Sequence, residues 1–165
     1  MTVGIATNKS AVCNRRGVAG REQSASRRGP SVAYREAIES RIADTLYAAP
    51  RVLAVDDRRE GRHIADISRA VEAHAHSHGY GVVRDLVGHG IGRDMHEPPE
   101  VPNFTDARIG RGLRLTRGMT LAIEPMINMG AWQVRQEANG WTVVTADGSL
   151  SAHYENTVAV TDGEA

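Results

Sequence analysis

"WTVVTADGSLSAHYENTVAVT", residues 141–161, alternates in a period of two on both sides of Asp147-Gly148. Alternation rich in Val and Thr marks half-buried strands, and Asp-Gly between two such runs marks a tight turn, so the stretch predicts a β-hairpin. In its second strand Ala152, Tyr154, Asn156, Val158 and Val160 share one side; Ser151, His153, Glu155, Thr157 and Ala159 share the other. Glu155 is therefore a carboxylate in mid-strand, on the more polar face.

Upstream, "GMTLAIEPMINMG" (118–130) and "GYGVVRDLVG" (79–88) predict two further strands. Between them "EPPEVPNFTDARIGRG" (97–112) has the Pro, Gly and Asn content of a long ordered loop. Two helices precede the strands. "YREAIESRIADTLYAA" (34–49) places Ile38, Ile42, Leu46 and Ala49 on one face and stops at Pro50. "RHIADISRAVEAHAHSHG" (62–79) carries the stripe Ile64, Ile67 and Val71, with Gly79 placed to close the helix. The expected class is α+β: an antiparallel sheet backed by two helices, in a single domain over 32–165.

A chain of 165 residues with 41% apolar content supports one modest core. Of its 20 basic and 20 acidic residues, six basic and one acidic fall within 1–30, leaving 14 and 19 for the rest. The folded part is mildly acidic, which disfavours a nucleic-acid surface. The basic stretch 1–31 shows no helical apolar spacing and is expected to be a disordered or unrelated tail. One cysteine, Cys13, excludes an internal disulfide, and no apolar run is long enough to span a membrane, so a cytoplasmic protein is expected.

Chemistry concentrates in three places. "GHGIGRDMHEPP" (88–99) puts His89 and His96 on one glycine-broken segment; Glu124 sits inside the apolar run "TLAIEPM"; Glu155 lies in the last strand. An isolated carboxylate in an apolar strand costs several kcal/mol unless it is paired, protonated or bound to a cation. Residue type alone leaves two readings open: a metal site of mixed nitrogen and oxygen ligands, or carboxylates neutralised by some of the many arginines. "HAHSH" (74–78) places His74 and His78 one helical turn apart but without the acidic base of an HExxH motif, and is expected to be a solvated helix end.

Taken in order, "YGVVRDLVGHGIGRDMHEPPEVPNF", "LTRGMTLAIEPMI" and "NGWTVVTADGSLSAHYENTVAVTD" resemble the C-terminal half of the type I methionine aminopeptidases, members of the pita-bread metallopeptidase family M24. The resemblance covers residues 60–163, with a weaker extension over 34–49. It implies half of a pita-bread fold with a curved antiparallel sheet, and removal of N-terminal methionine from nascent proteins by metal-activated water. By the same resemblance His89, Glu124 and Glu155 are metal ligands, with Glu155 bridging two ions. His96 is a catalytic residue that donates a hydrogen bond to the scissile peptide, and Met95 and Trp141 wall the methionine pocket. The metals implied are two divalent ions, cobalt, manganese, iron or zinc.

The family's remaining two ligands, an aspartate pair around an "HGD" motif, have no counterpart here, and Asp56, Asp57 and Asp66 do not replace them. Asn156 also stands where a histidine commonly follows the bridging glutamate. With three ligands the chain is expected to bind at most one ion weakly and to be an impaired enzyme. The alternative is a non-catalytic pita-bread fragment that binds a peptide or partner. A half-domain is further expected to self-associate through exposed apolar sheet surface. A truncated or frame-shifted product, with 1–30 as unrelated read-through, would account for the missing half, and the basic tail would suit proximity to the ribosome.

Overall fold

The computed structural model describes residues 2–14 and 62–161. Within them lie strand β1 (Thr2–Asn14), helix α1 (Ile64–Ser77), and strands β2 (Gly81–Val82), β3 (Gly88–Gly90), β4 (Glu97–Val101), β5 (Thr120–Ile123), β6 (Met126–Asn128), β7 (Val134–Gln136), β8 (Val143–Thr145) and β9 (Ser151–Thr161). The expected helix over 34–49 lies outside the described residues, as do residues 15–31 of the expected tail.

Helix α1 follows its apolar stripe. Ile64, Ile67, Val71 and Ala75 recur at spacings of three and four, and each is at most 2% exposed. The Asp66 carboxylate accepts the His63 N–H at 2.9 Å, satisfying a backbone donor at the helix start. Gly79 closes the other end as expected: at φ 75° its N–H reaches the His76 carbonyl at 2.9 Å, and the Tyr80 N–H reaches Ala75 at 3.1 Å. The helix is too short and polar to cross a membrane, and no other described helix does so.

The sheet is antiparallel and runs β2-β6-β9-β5-β3-β4, with β1 on the other edge of β9. On the α1 side, Ile64, Ile67 and Val71 pack with Val101, Leu121, Ile123, Val158 and Val160. Each such side chain stabilises by roughly 1.5–3 kcal/mol on burial, so this contact holds helix and sheet together. The alternation read in β9 is present: Ala152, Tyr154, Asn156, Val158 and Val160 are buried, and the residues between them are half-buried. The face away from α1 is thus the one carrying His153 and Glu155.

Four expectations change. Residues 2–14, assigned to a disordered tail, run as β1 along β9, from Thr2 opposite Thr161 to Asn14 opposite Ser151. Helical spacing was the wrong test for that stretch; its β-formers suit the row of N–H and C=O groups that β9 offers on its free edge. The turn at Asp147-Gly148 exists, but β8 pairs with β7 in a separate two-stranded sheet, and β9 pairs with β5, β6 and β1. The expected loop 97–112 contains β4, which pairs with β3. The run 79–88 holds the short β2 and only the first residue of β3, and 118–130 divides into β5 and β6 at Glu124-Pro125, where proline has no N–H for the ladder.

Candidate metal centre

Strand register assembles the centre. His89 in β3 pairs with Ala122 in β5, which pairs with Thr157 in β9. The β5–β9 ladder ends at Ile123 opposite Asn156 and resumes as β6–β9 at Met126 opposite His153. The register is unbroken across the gap, so Glu124 stands opposite Glu155 and Pro125 opposite Tyr154, whose N–H reaches the Pro125 carbonyl at 3.2 Å. Period-two alternation then puts His89, Glu124, His153 and Glu155 on the face away from α1.

Glycine lets β3 enter between its neighbours. A Cβ on Gly88 would lie 2.3 Å from the Ala122 carbonyl oxygen, and one on Gly90 would lie 2.4 Å from that of Pro98. The glycines flanking His89 therefore serve close strand approach.

His89 Nδ1 lies 2.8 Å from the Gly90 carbonyl oxygen. A carbonyl only accepts, so Nδ1 carries a proton, and in the neutral ring Nε2 keeps its lone pair. That Nε2 lies 3.4 Å from Glu124 Oε1, while His153 Nε2 lies 3.2 Å from Glu124 Oε2. The ion-pairing partners of Glu124 among the described residues are thus two imidazoles and not an arginine. His153 Nε2 is buried and makes no hydrogen bond, so its contact with Glu124 lacks hydrogen-bond alignment. A lone pair against a carboxylate oxygen is repulsive unless a proton or cation lies between them. Among the described residues, Glu124, His153 and Glu155 form the group whose ligand atoms all lie within 4.8 Å of one another. Mixed imidazole and carboxylate donors at this spacing fit a divalent transition metal.

The remaining candidates divide. The His96 ring sits 4.2 Å from that of His89, centroid to centroid, tilted by 48°. His89, His96, Glu124, His153 and Trp141 line a cleft of about 780 Å³. Trp141 is 79% exposed at its edge. Met95, expected in the pocket wall, is 73% exposed and lies outside the lining. The turn that carries it is fixed by Gly92 N–H on the Asp94 carbonyl and Asp94 N–H on the Glu97 carboxylate, and this directs Met95 to solvent. Asn156 lies on the core side of β9, 8% exposed, so it does not touch the carboxylate of Glu155. The His74 and His78 rings lie 4.6 Å apart, tilted by 49°, and His78 Nδ1 lies within hydrogen-bond distance of the His74 carbonyl; His78 is exposed as expected, whereas His74 is half-buried with its Nε2 out of solvent. Asp66 caps α1; Asp56 and Asp57 lie outside the described residues.

Two residues beside the candidate centre were missed by the sequence reading. His153 had its signal in plain view, sharing a strand face with Glu155 two positions on. Asn103, fully buried, donates from Nδ2 to the Glu124 backbone carbonyl at 3.1 Å, fixing the strand break that presents the carboxylate. It lay within the expected loop, where no pattern singled it out.

Comparison with known proteins gives the family and the fold. The chain matches metallopeptidase family M24 over residues 32–162. It is 59% identical over 102 residues to a methionine aminopeptidase of Clostridium acetobutylicum, which is 62% of this chain and 40% of that protein. To the Clostridium perfringens enzyme it is 61% identical over 97 residues, 59% of this chain and 38% of that one. Among solved structures, methionine aminopeptidase from Rickettsia prowazekii superposes with a TM-score of 0.69 at 36% identity, covering 82% of this chain and 52% of that one. The enzyme from Thermotoga maritima gives 0.61 at 40% identity, over 75% and 50%. The chain spans about 40% of the length of the curated relatives it matches.

Proposed function

The chain belongs to metallopeptidase family M24 and has the pita-bread fold over the part it spans, and on that premise we propose that it is a methionine-aminopeptidase homologue whose cleft receives the N-terminal methionine of a peptide. One observation carries this reading. His89 approaches Glu124 at 3.4 Å, Glu155 stands opposite Glu124, and the tilted His96 ring lies against His89 at the wall of one cleft.

In this reading His89, Glu124 and Glu155 form the metal-binding wall. A divalent cobalt, manganese, iron or zinc ion there supplies Lewis acidity for peptide hydrolysis. Gly90 holds His89 with Nε2 turned to the centre. His96 is the catalytic residue that donates a hydrogen bond to the scissile peptide or its oxyanion. Trp141 offers an apolar face for the methionine side chain.

The activity is impaired. This sequence contains no aspartate pair around an "HGD" motif, so the ligands present suffice for one ion and leave a second under-coordinated. The same feature favours the second reading, a pita-bread unit that binds a peptide without cleaving it. Self-association is also part of the proposal, through exposed apolar residues such as Leu86 and Trp141, as are a cytoplasmic setting and nascent chains near the ribosome as substrate.

Titration calorimetry with cobalt, coupled to an assay of methionine release from a Met-Ala-Ser peptide, tests both parts. One ion per chain with slow or no turnover is expected. Two tight ions with multiple turnover overturn the impairment, and no metal binding at all overturns the reading of the site.

A further inference from the structure

We propose that Glu137 determines specificity in this cleft, favouring peptides with lysine or arginine at the third position, counted from the N-terminal methionine. The proposal rests on the reading above that the cleft receives a peptide, and it adds which peptide.

Charge carries the argument. The residues lining the cleft include two carboxylates, Glu124 and Glu137, and neither lysine nor arginine. Glu124 is engaged by His89 and His153. Glu137 is half-buried and makes no ion pair among the described residues. Arg135, two residues back, is exposed and outside the lining. A cleft lined by one sign of charge concentrates its field inward, so the natural counterpart of this carboxylate is a cation on the ligand.

The backbone holds Glu137 beside the methionine wall. It opens the tip that joins β7 to β8: its N–H donates to the Thr142 carbonyl at 2.8 Å, and its own carbonyl accepts the Gly140 N–H at 3.0 Å. Asn139 ties the tip from within. Its Oδ1 accepts the Trp141 and Thr142 N–H groups at 3.2 and 2.9 Å, and its Nδ2 donates to Thr142 Oγ1 at 2.6 Å. Glu137 and Trp141 thus line the cleft from one tied turn.

Bound in extended form, a peptide projects its first and third side chains to the same side, about 7 Å apart. Methionine against Trp141 therefore turns the third side chain toward the wall that carries Glu137, while the second points away. Lysine and arginine suit that position because their apolar stems lie along a surface while the charged head reaches the carboxylate. An acidic third residue meets like charge there and is disfavoured.

The experiment is titration calorimetry of the full Co²⁺-loaded chain with Met-Ala-Lys, Met-Ala-Ser and Met-Ala-Glu peptides. Wild type is expected to bind the lysine peptide about two- to fivefold more tightly than the serine peptide, and the glutamate peptide more weakly than either. The spread should shrink in about 1 M salt, where the Debye length is about 3 Å. Glu137→Gln keeps the backbone groups of the turn, so its melting temperature should match wild type, and it should bring the lysine and glutamate peptides within about twofold of each other. Glu137→Lys should invert their order, which loss of a merely structural side chain would not do. The peptide's own amine is the other cation that this carboxylate could meet. If wild type binds the three peptides equally and Glu137→Gln weakens all of them alike, Glu137 holds the amine and the proposal is overturned. A lysine preference that persists in Glu137→Gln and Glu137→Lys also overturns it, and leaves the peptide cleft standing. Failure of all three peptides to bind wild type overturns the cleft reading and this inference together.

Discussion

Glu124 and Glu155 stand directly opposite each other in the antiparallel ladder formed by β5, β6 and β9. Like charges so placed destabilise a sheet by about 0.2–1 kcal/mol, and a shared cation reverses the sign. Stability should therefore follow metal. Wild type is expected to gain about 2.7 kcal/mol at a hundredfold excess of Co²⁺ or Zn²⁺ over its Kd, and a chelator should remove the gain. Glu124→Gln should match or slightly exceed wild type without metal and gain nothing with it. Thermal melts with and without metal check this; an equal gain in both proteins would remove Glu124 from the centre.

The glycine pair offers a sharper test of packing. Gly90→Ala drives a Cβ to 2.4 Å from a backbone oxygen of the neighbouring strand, which cannot move without breaking the β3–β4 ladder. A loss of about 3 kcal/mol, the upper end for overpacking, is expected. Gly79→Ala meets no atom within 4 Å and suffers only from its φ of 75°, so about 1–2 kcal/mol is expected. Denaturant midpoints should rank wild type, Gly79→Ala, Gly90→Ala.

Asn103 acts on the centre through the backbone. Asn103→Ala leaves the Glu124 carbonyl without its buried donor, at about 1–3 kcal/mol of stability. Glu124 is also freed to turn away from His153, so Co²⁺ affinity should fall together with stability. Calorimetry at a temperature where the variant is fully folded separates the two; affinity unchanged there would confine Asn103 to packing.

Asp66 gives a pH signature. Burial alone would raise its pKa, but the His63 N–H and the Arg69 guanidinium at 2.9 Å outweigh that and hold it below the ordinary 3.8. A group lowered in the folded state contributes stability above its unfolded value and loses it as pH falls through its folded one. Asp66→Asn is expected to cost about 1 kcal/mol at pH 7, within the range for helix-cap changes. The difference should close progressively below about pH 4. A difference constant from pH 7 to pH 3 would assign the effect to shape instead of charge.

How legible this was depended on whether a feature is local. The stripe Ile64, Ile67, Val71 and the alternation of Ala152 to Val160 are read from neighbours two to four apart, and both appear as expected. His89, Glu124 and Glu155 were legible because apolar or glycine-rich surroundings make each conspicuous. His153 was not, since its meaning depends on β9 lying against the break at Glu124-Pro125. The pairing of β8 with β7 was hidden for a related reason: Val134–Gln136 is too short to show a period, and the Asp147-Gly148 turn reads the same whichever strand its arm joins. The strand at Thr2–Asn14 was missed because its partner, the open edge of β9, is some 140 residues away.

Trp141 provides a direct reporter of the proposed cleft. It is 79% exposed at the edge of a cavity that also contains His96, whereas the other tryptophan, Trp132, is half-buried with the Arg84 guanidinium 5.3 Å above its ring. A methionine side chain entering the cleft would cover Trp141 and leave Trp132 unchanged. In a Trp132→Phe background, adding a Met-Ala-Ser peptide to the Co²⁺-loaded protein should shift emission to the blue and saturate, while an acetylated Met-Ala-Ser peptide, lacking a free amine, should bind more weakly. Trp141→Ala should weaken peptide binding by about 2 kcal/mol, the scale of an aromatic contact residue, and leave Co²⁺ affinity intact because the ring touches no ligand. Emission unmoved by saturating peptide would remove Trp141 from the substrate site.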